Sequence, residues 1–472
     1  MPALRHSGGQ ALVLALFLLL VGAAALLQLF DAGQLIHEKV RLTHAADAAA
    51  YSGALVQARA LNFQAYANRA QIAHQVAMAH LVTLASWAKF GATEARQAAA
   101  ANPPTGVVGM MFGASHGAAY AASLQASGLE ATAQAQGSLG RAFAEHDSVV
   151  HEVLWRAQQA VARNLVSDRD AAMQAVLRAN YSGAAPVTGG AVILDEMPLA
   201  DALPGYLAIR EGKDRSRLRE VVLQAASRYG FLEERNDTAR NPWVVSSRCP
   251  HKRHELRRRG TTRLEGFDTW SAADTQSYHA LRSNRWIGCY YREYPMGWAM
   301  AATGGVGDIS LEHVADPPPD FSAEDFWRWA TRNTTWNIFT GADNPLSNSR
   351  AVAQATTWRG RGMPGYVDLA SSGNADRPLR FAIRVMRAQD SMATLGHASR
   401  VRTGPGLLDP SVELTGGMMA VVSAAETWFE RPVARGDGSM ELASLFSPYW
   451  QSRLSEVLES EKTEARTRQG GL

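Results

Sequence analysis

A long uncharged apolar run opens the chain. Between Ala11 and Phe30 no side chain carries a charge, and Gln28 is the only strongly polar residue. A helix of ~20 residues, rising ~1.5 Å per residue, crosses a hydrocarbon core of ~30 Å. The pattern therefore predicts a membrane-spanning helix over residues 10–30.

The pattern after Phe30 favours an anchor that stays on the protein. A cleaved signal peptide is the alternative, since Ala23 to Ala25 offers an A-x-A site. Signal peptides usually lead into a turn or an extended segment. Here, alternating steps of three and four from Leu35 to Leu84 meet apolar residues or glycine at nearly every position, and no proline intervenes. We therefore expect one long helix that continues from the membrane segment.

One face of this predicted helix, which we call the seam, consists of small residues. The seam residues are Ala46, Ala49, Gly53 and Ala60. Small residues let a partner backbone approach closely. Two interpretations stay open: a helix folded onto its own domain, or a helix shared with other subunits.

Polar residues accompany the seam. Asp47 and Arg69 are candidate polar pins that fix the register of helix packing. Amide side chains line a different face of the helix, at Gln64, Asn68, Gln71 and Gln75.

Two short stretches of this helix are distinctive. Residues 45–54 read Ala-Ala-Asp-Ala-Ala-Ala-Tyr-Ser-Gly-Ala, and Leu61-Asn62-Phe63 is followed by Tyr66, Asn68 and Arg69. With the apolar run, these stretches resemble the N-terminal region of TadE/TadG-like Flp pilus-assembly proteins of the tight-adherence system. Residues 425–432 and 446–451 are similar to the closing segments of long members of that group.

The resemblance implies a pilin-like precursor with a short leader. A prepilin peptidase would cut between Gly9 and Gln10, although Leu14 stands where such precursors usually carry glutamate. The implied partners are other pilin-like subunits and the inner-membrane pilus machinery. No cofactor is implied. Residues 368–372 do not have the spacing of the von Willebrand-type metal motif of some members, so we expect no metal site.

The charges that flank the apolar run predict the orientation. Arg5 and the amino terminus precede the run without an acid, whereas Asp31, Glu38, Lys39 and Arg41 follow it. Excess positive charge keeps the N-terminal side cytoplasmic. We expect a single-pass protein of the bacterial inner membrane with its C-terminal body in the periplasm, either incorporated into the pilus or assisting its assembly.

The remaining sequence predicts an α+β body. Hydrophobic residues make up 46% of the chain and charged residues 19%, which excludes wholesale disorder. Strands are predicted at 243–247 and 256–267. The predicted segments are a basic leader (1–9), a transmembrane helix (10–30), a long helical hairpin (31–183), a body with the cysteine pair (184–314), a second part of that body (315–455) and a charged tail (456–472).

Net charge and cysteine content limit the function. A formal charge of +3 on 472 residues argues against nucleic-acid binding. The basic run His251–Arg259 indicates a solvated strand, with a patch for acidic polymer or lipid headgroups as the alternative. Cys249 and Cys289 are the two cysteines of a chain we expect to be exported, which predicts a disulfide. A zinc site with nearby histidines is the alternative, but a regular Cys-x-x-Cys pair is missing.

One sequence motif suggests an enzyme. Gly113-Ala114-Ser115-His116-Gly117 matches the G-x-S-x-G nucleophile elbow of hydrolases. Long predicted helices precede it instead of parallel strands, so a glycine-rich turn between helices is the favoured interpretation.

The sequence therefore predicts a membrane-anchored pilin-like structural component, a minor pilin or pseudopilin, without a small-molecule substrate. The alternatives are an exported serine hydrolase that uses Ser115 and an anchored periplasmic binding module.

Overall fold

A computed structural model of the chain describes most of its residues. The described ranges are 8–181, 193–197, 201–285, 288–304, 355–371, 377–388, 391–392, 414 and 417–469. Most of the predicted leader (1–9) and much of the predicted second part of the body (315–455) lie outside these ranges.

A single helix dominates the first part of the chain. Helix α1 runs without a break through Gly8–Ala99, because no proline interrupts its alanine-rich sequence. The other described helices are α2 (Thr105–Phe112), α3 (Ala114–Ala122), α4 (Ser138–Ser148), α5 (Trp155–Tyr181), α6 (Ser216–Ala226) and α7 (Glu459–Arg468). A π-helical stretch, Val149–Leu154, joins α4 to α5.

The strands form three sheets. They are β1 (Ile193–Met197), β2 (Leu207–Arg210), β3 (Asp237–Arg240), β4 (Glu255–Glu265), β5 (Thr269–Asn284), β6 (Gly288–Thr303), β7 (Ala355–Trp358), β8 (Tyr366–Leu369), β9 (Leu379–Ala388), β10 (Met418–Phe429) and β11 (Trp450–Ser455). The sheet orders are β1-β9-β10-β11, β2-β8 and β3-β4-β5-β6-β7. The predicted combination of an N-terminal apolar helix, further helices and a mixed α+β body is confirmed.

The chain folds into two compact units, each built from separated segments. Unit 1 comprises Met1–Tyr66, Gln158–Ile209 and Val367–Leu472, and unit 2 comprises Ala67–Ala157 and Arg210–Tyr366. The sequence-based segments were contiguous, whereas both units draw on distant parts of the chain.

Unit 1 places helices against an antiparallel sheet. Strand β9 pairs with β1 on one side and with β10 on the other, and β10 pairs with β11. Helix α5 runs antiparallel to α1: the side chain of Gln64 donates to the carbonyl of Gln158 (2.9 Å), and farther along Arg41 donates to the carbonyl of Asn180 (3.0 Å). The predicted helical hairpin is therefore present, although α2, α3 and α4 lie between its two long helices.

Unit 2 is organised around the five-stranded sheet. Strands β3 to β6 form an antiparallel meander, and β7 joins β6 in parallel. The later part of α1 lies close to this sheet: a methyl group added at Gly297 in β6 would lie 2.9 Å from the Phe90 ring. Ser86 donates to buried Asp274 (2.7 Å), which also accepts from Arg235 (2.8 Å). These polar contacts fix the helix to the strands.

One prediction about local structure needs correction. The predicted strand at 256–267 is present as β4, but residues 243–247 form a loop. In this loop the Trp243 carbonyl accepts from the Asn241 side chain (2.8 Å) and the Ser246 hydroxyl donates to Ser283 (3.0 Å), in place of a sheet ladder.

The amide-rich face of α1 is buried. Gln71 donates to the carbonyl of Gly365 (3.1 Å), and Gln75 accepts from the Trp270 indole (3.0 Å), both within unit 2. The amides thus satisfy backbone and indole groups that would otherwise be buried without partners.

Candidate membrane and helix-packing site

The first part of α1 is apolar and lies outside the folded core. It contains a stretch from Ala11 that is long and apolar enough to cross a membrane, and the most apolar window of this stretch has no buried residue. Leu12, Phe17 and Leu19 have exposed fractions of 68%, 63% and 75%. An apolar surface of this length needs an apolar environment, which a bilayer or neighbouring apolar helices supply. This property is compatible with membrane anchoring.

Helix α1 becomes buried from Asp31 onward, which is its first charged residue. Asp31 is fully buried, and Leu35 and Glu38 follow on the same side of the helix. Glu38 forms an ion pair with Arg387 of β9 and accepts a hydrogen bond from the Tyr181 hydroxyl (3.1 Å). Burial and the charge of Glu38 raise the pKa of Tyr181 to about 12, so this hydroxyl stays a donor.

The ion pair is part of a larger polar cluster that sequence reasoning missed. Arg387 also donates to Ser391, through Nε to Oγ (3.1 Å) and through Nη2 to the carbonyl (2.9 Å). The guanidinium groups of Arg41 and Arg387 lie over the Tyr181 ring, 4.4 and 5.0 Å from its centroid. The only sequence signal was the group of charges directly after the apolar run. Its partners are more than a hundred residues away in sequence, so no local pattern could identify them.

The seam residues are buried within unit 1. Ala46 and Ala49 are fully buried, in a cluster with Met173 and Leu177 of α5 and with apolar side chains of β9 and β10. A methyl group added at Gly53 would lie 2.8 Å from the Met173 sulfur and 2.9 Å from the Phe381 ring. The close backbone approach expected of small residues is therefore made to the chain's own helix and sheet. Ala60, at the end of the seam, is 9% exposed.

The two candidate register pins differ in their surroundings. Asp47 accepts a hydrogen bond from the Ser423 hydroxyl of β10 (2.7 Å), so it links α1 to the sheet of unit 1. Arg69 is exposed.

Other polar residues bind α1 to the same sheet more extensively. Thr427 donates to the carbonyl of Ala54 (3.0 Å). Asn62 donates to the carbonyl of Trp450 (2.9 Å) and accepts from its backbone N–H (3.0 Å), as a neighbouring strand would. Asn62 belongs to the distinctive Leu-Asn-Phe stretch, and this paired contact gives the amide a structural role.

The predicted disulfide is present in unit 2. Cys249 and Cys289 are bonded, 40 residues apart in sequence, and they lie with Leu281 and Tyr291 in a small apolar cluster. Among the described residues, no group of three or more His, Cys, Asp and Glu side chains is placed to hold a metal ion.

Ser115 does not lie on a nucleophile elbow. The elbow needs a strand followed by a tight turn and a helix, whereas Gly113 separates the two short helices α2 and α3 with a positive φ of 108°. Glycine is required for close packing as well, since a methyl group at Gly117 would lie 2.6 Å from the Gly109 Cα atom. The motif is therefore explained by a turn between helices, as the sequence favoured.

The predicted leader site lies at the very start of α1. Gly9 and Gln10 are in its first turn, and residues 1–7 lie outside the described part of the chain.

Comparison with known proteins identifies the N-terminal region. Residues 9–59 match a family model described as "Tad: Putative Flp pilus-assembly TadE/G-like". No curated protein and no solved structure matches the chain. The matched segment contains the exposed apolar stretch, Glu38 and Arg41 of the polar cluster, and the seam through Gly53, so the resemblance seen in the sequence is confirmed for this region. Residues 9–59 are thus similar to the TadE/G-like Flp pilus-assembly family, which supports an involvement of this chain in pilus assembly.

Proposed function

We propose that the protein is a single-pass, pilin-like structural component of a Tad/Flp pilus assembly. The observation that carries the proposal is the division of one continuous helix. Its first part is apolar and has no buried residue in its most apolar window, and the next part is embedded in a folded body, both within the family match. A continuous helix of this kind holds the folded body at a fixed distance from the membrane. Its job is mechanical, and it needs no cofactor or small-molecule substrate.

The body is exported in this proposal. The excess positive charge before the span favours a cytoplasmic N-terminus. The Cys249–Cys289 disulfide supports the same orientation, because disulfides persist in oxidising compartments such as the periplasm. Cleavage between Gly9 and Gln10 by a prepilin peptidase belongs to the proposal and would leave the whole spanning segment on the mature protein.

The seam stabilises unit 1 in this proposal, and another face of α1 meets partner subunits. Because Ala46, Ala49 and Gly53 already pack inside the chain, they hold α1 in its body. Tyr51 and Tyr66 are 43% and 62% exposed on the same helix. Exposed aromatic side chains provide large contact areas at protein interfaces. We assign contact with other pilin-like subunits to these tyrosines and to the spanning segment.

Two measurements test this function. An alkaline phosphatase fused after the C-terminus should be active, and the protein should stay in the membrane on carbonate extraction. Inactive phosphatase, or release of the body into the soluble fraction, would refute the anchored orientation.

The partner face is tested by a double variant, Tyr51→Ala with Tyr66→Ala. It should lower surface pili and crosslinks to pilin-like subunits while protein abundance stays normal. Tyr229→Ala, which removes a 51% exposed tyrosine from unit 2, is the matched control and should assemble pili normally. Normal assembly by the double variant would refute the assigned face.

A further inference from the structure

Two histidine side chains join α1 to α4 within unit 2. His74 lies on α1 and His146 on α4, and their Nδ1 atoms are 2.7 Å apart. The ring centroids are 4.9 Å apart in an edge-on arrangement. Both side chains are half-buried, so protons from solvent reach the pair. We call this contact the histidine latch.

The histidine latch needs one ring nitrogen without a proton. A neutral imidazole has one N–H and one acceptor nitrogen, whereas an imidazolium has two N–H groups and no acceptor. While at least one of the two rings is neutral, one Nδ1 donates and the other accepts. When both rings are protonated, the hydrogen bond is lost and two cations face each other with ring centroids 4.9 Å apart.

Burial and the second ring both oppose protonation of His74. Burial, and after it the charge of His146, lowers the pKa of His74 below the usual histidine value of 6.5. Between Arg69 and His80, α1 has no charged or titratable side chain besides His74. The charged and titratable groups of the neighbouring elements are Glu145, Asp147, His151, Glu152 and Arg361.

Most of these neighbouring groups are engaged with one another. Asp147 accepts from the backbone N–H of Arg361 (3.1 Å) and from its Nε (2.8 Å), and Glu152 accepts from its Nη1 (2.9 Å). His151 Nε2 donates to the carbonyl of Gly362 (3.1 Å) and lies 3.6 Å from Asp147. Glu145 is exposed. The buried acid of this junction therefore faces Arg361 and His151, and the contact that a second proton breaks is the histidine latch.

The latch holds the chain where its helix geometry changes. Helix α4 continues into the π-helical stretch Val149–Leu154 before α5 begins. Such π-helical turns occur frequently at functional sites. Helix α4 is also fixed by Phe143, whose ring centroid lies 5.3 Å from that of Trp358. Loss of the latch should therefore loosen α4 from α1 locally and leave unit 2 folded.

We propose that the histidine latch is a proton-sensitive switch, in which uptake of a second proton by the pair releases α4 from α1. Protonation of histidine clusters at about pH 5–6 opens interfaces in other pH-sensing proteins. Because His74 binds a proton more weakly in the folded than in the unfolded state, the latch stabilises the fold above about pH 6.5. This contribution is lost as the pH falls below that value. In the proposed periplasmic location the switch responds to acid outside the cytoplasm, but the switch itself does not depend on that location.

Hydrogen exchange followed by mass spectrometry tests the switch on the full chain in detergent micelles. Peptides of α4 are compared at about pH 7.5 and about pH 5, on either side of the ordinary histidine pKa of ~6.5, after correction for the intrinsic pH dependence of amide exchange. The opening equilibrium of α4 should rise roughly 10- to 50-fold at the lower pH. This factor combines one lost hydrogen bond with the repulsion of two cations in a water-like medium.

His74→Gln/His146→Gln and the single variant His146→Gln should abolish this rise. A glutamine amide keeps a donor and an acceptor at both pH values, so the contact with α1 persists. The matched control is His80→Gln, which removes an exposed histidine from the same helix and unit and should keep the wild-type rise. A Tm similar to that of the wild type at the higher pH shows that the variants fold.

Two results would overturn the proposal. One is equal opening of wild-type α4 at both pH values. The other is a rise that persists in the double variant; its loss in His151→Gln would then assign the acid response to His151, whose pKa is also lowered by burial. Because purified protein is used throughout, neither result bears on the proposed anchor or pilus role, so the two failures are distinguishable.

Discussion

Gly53→Leu tests whether the seam of α1 packs inside its own chain. The first added carbon would already lie within 3.0 Å of Met173 and Phe381, and leucine adds three more. Overpacking a buried site costs about 1–3 kcal/mol or more. Leucine recovers ~0.8 kcal/mol through its better helix propensity than glycine. The difference is a net loss of about 0.2–2 kcal/mol, and we expect the upper end, about 2 kcal/mol, because the first added carbon already lies 2.8 Å from the Met173 sulfur.

Calorimetry of the purified full chain in detergent micelles measures this loss. For a unit of ~150–250 residues, each kcal/mol lowers the Tm by ~2–4 °C, so the unit 1 transition should fall by ~4–8 °C. Gly33→Leu is the matched control on the same helix. An added methyl group at Gly33 meets nothing within 4 Å, so the Tm should stay unchanged or rise.

A double variant tests the contact itself. In Gly53→Leu/Met173→Ala, the leucine occupies part of the space that methionine leaves, so the two losses should not add. The reasoning fails if Gly53→Leu keeps the wild-type Tm and loses copurification with other subunits. That result would mean that the seam faces a partner.

Two further predictions concern unit 2. Burial raises the pKa of Glu94 to about 7, above its usual value near 4.5. The neutral form is therefore favoured in the folded state. The free energy of unfolding of unit 2 should fall by roughly 3 kcal/mol as the pH rises from about 4.5 to about 7. Glu94→Gln keeps an acceptor for the Gln276 amide and should remove this pH dependence in denaturant titrations of unit 2. A variant with the pH profile of the wild type would contradict the prediction. Reduction of the Cys249–Cys289 bond should cost ~3–4 kcal/mol for a loop of this length, and a reductant that leaves the Tm of the wild type unchanged would contradict that.

The sequence predicted the local features of α1 because each of them depends only on neighbouring residues. An uncharged run of spanning length needs no tertiary information, and an alanine-rich segment without proline propagates as a helix. The cysteine pair was also predictable, since two cysteines in a chain that is expected to be exported have one another as partners. Periodicity identified the buried face of α1 correctly at Ala46, Ala49 and Gly53.

Periodicity could not predict which residues pack against the seam of α1. The seam could have met another subunit, and only the fold brings Met173 and Phe381 to it, from positions more than a hundred residues away. The buried amides show a second limit. Gln64 and Gln71 look like surface residues in sequence, but their partners are backbone carbonyls, which leave no trace in side-chain patterns.

The central claim is that α1 offers its exposed face to other subunits and its seam to its own body. Site-specific photocrosslinking in cells tests it directly, with a photoreactive side chain at Leu19, Tyr66 or Met173. Leu19 and Tyr66 are 75% and 62% exposed, whereas Met173 is buried against Gly53. The account predicts crosslinks to pilin-like subunits from Leu19 and Tyr66, and crosslinks only within the chain from Met173. Intermolecular products from Met173, with none from Leu19 and Tyr66, would contradict it.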